Sequence, residues 1–334
     1  MRTLNQPGIL DSWKHRARGR ELVVFEERGG AWRAFVVRAS GDVEVVDLLR
    51  ASESLDSDWI GLRMTVEAAA SIPRERRDAF LEGTAAEANR ALQSMRETLI
   101  DPLRLQTPEA YFVPTGVLHG IPLEALVDPD GSCRQLLRTP HPALVRSRRS
   151  ERVGRAVFLR GHTPGVAGEA QMVGKLLREA GFRVSTRGEP DLKVDRGDPL
   201  RALHVAAHGV FHPRQWLLSG FQLEGGWLGL EHFTPGCLRG ALVFFGSCES
   251  GLGRLGPGAE LGNWVGAAVL AGASEMVFTL WKVDDATSLA FAEPFYRAWS
   301  AGSPATEAAA AARREVRAAY PHPFSWAPYM VIGG

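Results

Sequence analysis

From residue 156 onward the chain alternates short β-rich runs with helix-length segments, and this alternation constrains the fold more than any other feature. AVFLR begins at Ala156, and a helical pattern runs from Glu169 to Ala180 and closes at Gly181. RALHVAAH, ALVFFGS from Ala241 and SEMVFTLW from Ser274 follow as strand candidates, with a helix near Ala259 to Ala271 before the last. β-Branched and aromatic runs bounded by turn residues read as strands, and their alternation with helices predicts a layered α/β fold around a mostly parallel sheet. Two further helices are expected near Ala286 to Ser300 and Ala305 to Ala319, after which the aromatic tail FSWAPYMVI is expected to return as a strand.

The N-terminal part reads differently. ELVVFEE from Glu21, AWRAFVVR from Ala31 and DVEVVDL from Asp42 are separated by Gly29-Gly30 and Ser40-Gly41, the pattern of a three-stranded meander. Two helices follow, one over about Asp56 to Ile72 and one from Thr84, where Thr84 and Glu87 have capping-box spacing ahead of Leu92, Met95, Leu99 and Leu103. A short strand at Tyr111 to Val113 meets Pro114-Thr115-Gly116. Between about Ser132 and Arg155 the chain turns polar, with Arg146, Arg148, Arg149, Arg152 and Arg155 in no apolar period, which predicts a surface linker. The organisation is therefore a meander and helical segment over residues 1–91 and a main domain over 92–334.

Charge excludes some partners. Lys and Arg number 39 against 38 Asp and Glu, so no whole-molecule field draws the chain to nucleic acid or an anionic membrane. The start of the chain has no apolar h-region, and no apolar run approaches the roughly 20 residues that span a bilayer; a cytoplasmic protein without membrane insertion is expected. Cys133, Cys237 and Cys248 are an odd set in a sizeable domain, which argues against a disulfide framework.

In an open parallel sheet the carboxyl ends of the strands line the site. Two such ends carry reactive side chains: LHVAAH ends at His208, followed by Gly209, and LVFFGS leads to Cys248, followed by Glu249, Ser250 and Gly251. An imidazole titrating near ~6.5 can take a thiol proton and return it to a leaving amine. A glycine after the histidine lets substrate backbone approach, and its N–H, with that of Cys248, is suited to an oxyanion. Position alone is weak, since a lone cysteine is more often an inert core thiol.

Other patterns point elsewhere. Gly251-Leu-Gly253-Arg-Leu-Gly256 is a literal dinucleotide fingerprint with Glu275 about 20 residues on, but three residues separate it from the strand and Pro257-Gly258 interrupts the required helix; these glycines instead suit a loop that orders around substrate. His204, His208, His212, His232 and Cys237 suggest a metal, yet on a strand rising about 3.3 Å per residue His204 and His208 stand some 13 Å apart, too far to share a zinc ion. His204 then belongs to the core or a layer behind the site. No metal or cofactor is called for.

The segments HVAAHGVF at 204–211, FFGSCESGLG at 244–253 and VFTLWKVDDATS at 277–288 resemble the CHAT family, which belongs with caspases and separases. The likeness extends to VPTGVLHGIPLEAL at 113–126, GEAQMVGKLL at 168–177 and HPFSWAPYMVIG at 322–333. It implies a caspase-like layered α/β/α peptidase fold, Cys248 as nucleophile, His208 as general acid and base, the Gly209 and Cys248 amides as oxyanion hole, and a thioester acyl-enzyme. The FTLW strand at 278–281 matches the strand beside which a substrate lies as an extended peptide, making Trp281, Asp284 and Glu249 the substrate-side candidates; Trp281 is equally read as core, and Asp284 or Asp285 as a helix cap. The resemblance further implies a dedicated protein substrate, such as a gasdermin-like pore former or another bacterial defence effector, and a separate activator or sensor protein. The second reading is a catalytically silent CHAT-fold module that recruits partners.

Overall fold

Where the sequence alternates polar and apolar residues the backbone forms the meander, and where it runs continuously apolar it forms strands buried on both faces. A computed structural model describes residues 19–127, 135–139, 153–192, 197–210, 218–246 and 264–333. Cys133, Cys248, Glu249, the glycine loop at 251–256, His212 and most of the Arg-rich segment lie outside these residues.

Strands β1 (Glu21–Arg28), β2 (Ala31–Val37) and β3 (Val43–Asp47) pair antiparallel in sequence order. Gly29 and Gly30 take φ of 61° and 82° in the two-residue turn, a left-handed pair that glycine adopts without a Cβ penalty. Helices α1 (Leu49–Ser71) and α2 (Arg74–Leu99) pack against each other. Thr84 does not start α2: Pro73 precedes its first turn, and the Thr84 hydroxyl donates to Phe80 O at 2.7 Å inside the helix. A threonine back-bonded in this way leaves no cap, so the capping-box spacing there has no structural counterpart.

β4 (Glu109–Val113), the short helix α3 (Leu123–Val127) and β5 (Gln135–Arg138) come next, so the expected surface linker contains a strand whose Leu136, Leu137 and Arg138 are all buried. The main block follows: β6 (Arg155–Arg160), α4 (Val166–Glu179), β7 (Arg183–Arg187), β8 (Leu200–Ala206), β12 (Leu242–Phe245), α5 (Trp264–Ala271), β13 (Glu275–Thr279), α6 (Asp285–Ser300), α7 (Ala305–Ala319), α8 (Pro323–Trp326) and the tail strand β14 (Tyr329–Gly333). Between β8 and β12 lie three short strands, β9 (His208–Val210), β10 (Gly220–Leu223) and β11 (Gly226–Gly229), which form a separate antiparallel sheet.

Among the described residues the main sheet has eleven strands in the order β3-β2-β1-β4-β5-β14-β13-β12-β8-β6-β7. Pairing is parallel except within the meander and between β13 and β14. That one antiparallel joint reverses the sheet, so β6, β8, β12 and β13 deliver their carboxyl ends together. Every residue of β12 and β13 is buried, as strands covered on both faces require. Among the described residues no helix is long and apolar enough to cross a membrane.

Candidate active site

The carboxyl ends of β6, β8, β12 and β13 converge because their ladders are in register: Leu159 lies opposite Val205 and Val205 opposite Phe245. The Gly246 amide extends the β8–β12 ladder by donating to Val205 O at 3.0 Å. After Ala206 the chain leaves the main sheet, and His208 begins β9 rather than ending β8, so it stands exposed on the small sheet opposite Gln222.

Glycine at 161 seats this small sheet. Its amide donates to Ala206 O at 2.8 Å, and a Cβ there would sit 2.7 Å from Ala207 Cα and 2.8 Å from Gln222 O. Beside it, the Glu224 amide donates to Arg160 O at 3.0 Å and the Arg160 guanidinium to Glu224 Oε2 at 2.7 Å. His208 is thereby held at the end of the main sheet by two short links on either side of its strand pair.

Beneath this end lies a buried polar cluster that sequence reasoning only touched. His204 is sandwiched between Phe158 and Phe244, with ring centroids 4.4 and 4.7 Å away and planes within 9°. Its Nδ1 is 3.0 Å from the Tyr296 hydroxyl, and its Nε2 is 3.2 Å from Glu169 Oε1 without the alignment of a hydrogen bond. Glu169 also accepts from the Ser288 hydroxyl at 3.2 Å. Burial pushes the Tyr296 phenol well up, and the Glu169 charge adds to it, so this hydroxyl keeps its proton. Gly246 closes over the cluster: a Cβ there would lie 3.3 Å from His204 Nε2. Glu169 had a readable signal, because it falls on the buried stripe of α4 with Val166, Ala170, Val173 and Leu177.

Of the substrate-side candidates, Trp281 is 5% exposed and its indole N–H donates to Phe324 O at 3.0 Å. Asp284 caps α6 by accepting from the Thr287 amide at 2.8 Å, and Arg77 of α2 donates to its other oxygen at 3.2 Å. Asp285 accepts from the Gly165 amide at 2.8 Å. Gly209 lies opposite Phe221 on β10, while Cys248 and Glu249 are outside the described residues. Cys237 is buried; burial pushes its thiol pKa up, against a smaller lowering by Thr234, which leaves it a poor nucleophile. His204 and His208 stand in different sheets, and among the described residues no three His, Cys, Asp or Glu side chains gather as metal ligands.

The CHAT domain model matches residues 89–334. No curated protein matches the chain. Among solved structures, two crystal structures of the Saccharomyces cerevisiae separase–securin complex align with TM-scores of 0.67 and 0.66 at 10% identity. Each covers 97% of this chain, which spans only 30% and 31% of the respective separase chains. The Arg-specific cysteine proteinase gingipain R aligns with a TM-score of 0.49 at 11% identity, over 73% of this chain and 67% of that one. At such identities the separase likeness shows a shared caspase-like α/β fold, and the matched domain spans well over half of the sequence. The chain belongs to the CHAT family.

Proposed function

We propose that the protein is a caspase-like cysteine endopeptidase that makes a selective cut in a dedicated protein substrate, with Cys248 as nucleophile and His208 as general acid and base. One observation carries this reading. β8 and β12 are neighbouring parallel strands with Val205 opposite Phe245, and each reactive residue follows its paired position by three residues. Gly246, two residues before Cys248 in the sequence, donates its amide to Val205 O at 3.0 Å. Neighbouring strands lie roughly 4.8 Å apart, so Val205 and Phe245, the paired positions that precede the two candidates, are adjacent, and this adjacency supports the dyad.

In this reading the His208 imidazole takes the Cys248 thiol proton and the sulfur attacks the scissile carbonyl carbon. The carbonyl oxygen becomes an oxyanion facing the Gly209 and Cys248 amides. The C–N bond then breaks, His208 returns the proton to the leaving amine, and a thioester remains. Water, deprotonated by His208, attacks the thioester; the acid departs and the thiol is restored. The cycle balances without a cofactor. A glycine at 209 and the exposure of His208 support access by an extended peptide.

Family membership favours a protein substrate, such as a gasdermin-like pore former or another defence effector, and a separate activator. The yeast separase structures contain securin, a protein bound to that enzyme, which supports a protein ligand here. Residues 1–91 are assigned to a supporting segment and 92–334 to the peptidase domain. The Arg77–Asp284 pair supports the N-terminal segment as a route for regulation, since it joins α2 to the cap of α6 just past the end of β13.

The test is cleavage of a diverse peptide library by the wild type, Cys248→Ala and His208→Ala, with cut bonds identified by mass spectrometry. Cleavage by the wild type alone is expected. Equal cleavage by Cys248→Ala overturns the assignment, and so does capture of an uncut protein partner by a wild type that cleaves nothing.

A further inference from the structure

We propose that the outer face of the three-stranded sheet receives the substrate segment that follows the cut bond, and that Trp227 selects a large apolar or aromatic side chain there. This rests on the peptidase reading and adds a substrate preference to it.

Register places the residues. His208 lies opposite Gln222, and Gln222 opposite Trp227, so the three form one row across β9, β10 and β11. The next row, Gly209–Phe221–Leu228, points to the other side, where Phe221 and Leu228 are fully buried. The third row, Val210–Gly220–Gly229, shares the face of His208. The buried middle row fixes which way the sheet faces.

That face is apolar and open. Trp227 is 37% exposed and Val210 50%. A cluster of exposed large apolar side chains beside a proposed acid–base residue marks a binding surface rather than ordinary packing. The indole is also held in place: it lies over Gly220, where a Cβ would come within 2.6 Å of Nε1. Glycine at 220 thus gives the ring a seat on the middle strand, and an aromatic group fixed before binding loses little entropy when a ligand arrives. A carboxylate, Glu231, reaches this face only at Gly229, on the strand farthest from His208.

Chemistry identifies the occupant. The proton that His208 returns goes to the leaving amine, so the nitrogen of the first residue after the cut must sit at the imidazole. Strand spacing puts the Trp227 backbone about 10 Å from His208, and the ring reaches back over the middle strand, roughly 5 Å from β9. The first or second residue after the cut therefore meets the indole, while the Gln222 amide, which can both donate and accept, lies between them for the peptide backbone.

The experiment profiles cleavage by the wild type, Trp227→Ala and Trp227→Phe on libraries randomised separately before and after the cut, reading kcat/KM. The wild type is expected to favour large apolar residues after the cut by about tenfold over Gly or Asp. Trp227→Ala should reduce that preference to about twofold while the preference before the cut stays unchanged, and Trp227→Phe should retain it. Cleavage with the same profile in wild type and Trp227→Ala overturns this inference and leaves the peptidase reading standing. Absence of cleavage by the wild type, with its activator supplied, overturns both.

Discussion

Arg138 is the residue whose removal should unfold the protein most readily. Its side chain is 3% exposed and uses its whole donor fork: Nε and Nη2 donate to the two oxygens of Glu124 at 2.9 and 2.8 Å. Nη2 also reaches Ile121 O at 2.8 Å, and Nη1 reaches His119 O and Leu118 O at 3.2 and 3.3 Å. Glu124, 1% exposed, accepts in addition from the Val331 amide at 3.3 Å, so the pair ties β5, α3 and β14 together beside the joint where the sheet reverses. Arg138→Met leaves a buried carboxylate facing one N–H and strips a donor from three carbonyls. Breaking a buried pair from one side costs about 3–5 kcal/mol, a large part of a stability of about 5–15 kcal/mol. At roughly 1–2 °C per kcal/mol, from about 2.1 cal/mol/K per residue over the chain, a loss of about 4 kcal/mol lowers Tm by about 4–8 °C. Pairing the change with Glu124→Leu removes the stranded charge and should recover about half of the loss, the remainder being the carbonyls. Thermal unfolding of the two singles and the double checks this by circular dichroism. A melt of Arg138→Met within about 2 °C of wild type, or a double no more stable than the single, refutes the reasoning.

Two further outcomes follow from buried groups. Burial lowers the His322 pKa to about 4, and its Nδ1 accepts the Phe324 amide at 2.9 Å, which requires the neutral ring. With the folded value below the ordinary ~6.5, stability is fully present above that pH and falls by about 3 kcal/mol as pH drops towards 4; urea unfolding across this window should show the slope, and His322→Gln should flatten it. Gly246→Ala brings a Cβ to 3.3 Å from His204 Nε2 and 3.6 Å from Glu169 Oε1, so it should cost about 1–2 kcal/mol. The same substitution should slow alkylation of Cys248 by more than tenfold at a temperature where the protein stays folded, and an unchanged alkylation rate measured by mass spectrometry rejects any link between the cluster and the thiol.

The parallel block is legible in the sequence because strands such as LVFF at 242–245 are apolar at every position, which only a strand covered on both faces tolerates. The meander is legible from alternation and paired turn glycines. The small sheet is not: its strands are three or four residues long, hold four glycines and leave about half their side chains in water, so no period accumulates. His208 is consequently recognisable as a residue of interest, while its transfer from the main sheet to β9 is not. Arg138 hides for a different reason, since it follows polar and precedes Arg-rich sequence, and only a carboxylate fourteen residues away explains its burial. Trp281 and Asp284 show the same limit at the site: Phe324, Arg77 and Thr287 decide what their polar atoms do, and two of those partners come from distant segments.

The antiparallel joint between β13 and β14 explains how one large sheet supports a site at one place. β14 runs parallel to β5, and β5 to β4 and β4 to β1, so all four send their carboxyl ends away from the end where β6, β8, β12 and β13 finish. The strand ends bearing the proposed machinery therefore come from one half of the sheet, and the other half braces it. α2 crosses between them: Arg77 near its start meets Asp284 at the cap of α6, while beyond its far end Gln106 and Thr107 donate their amides to the buried Glu21 carboxylate that opens β1. Burial alone would raise the Glu21 pKa, and these amides with Arg38 more than offset it and hold the group charged. The N-terminal segment is thus anchored at one end of the sheet through Glu21 and meets the C-terminal half at several points: Arg77 pairs with Asp284, Thr84 Oγ1 lies 3.3 Å from His322 Nε2, and the Asn89 side-chain amide donates to Pro321 O at 3.2 Å. Arg77 is the contact among these that meets the loop after β13, through Asp284 at the cap of α6, in a part of the chain separate from the strands that carry His208.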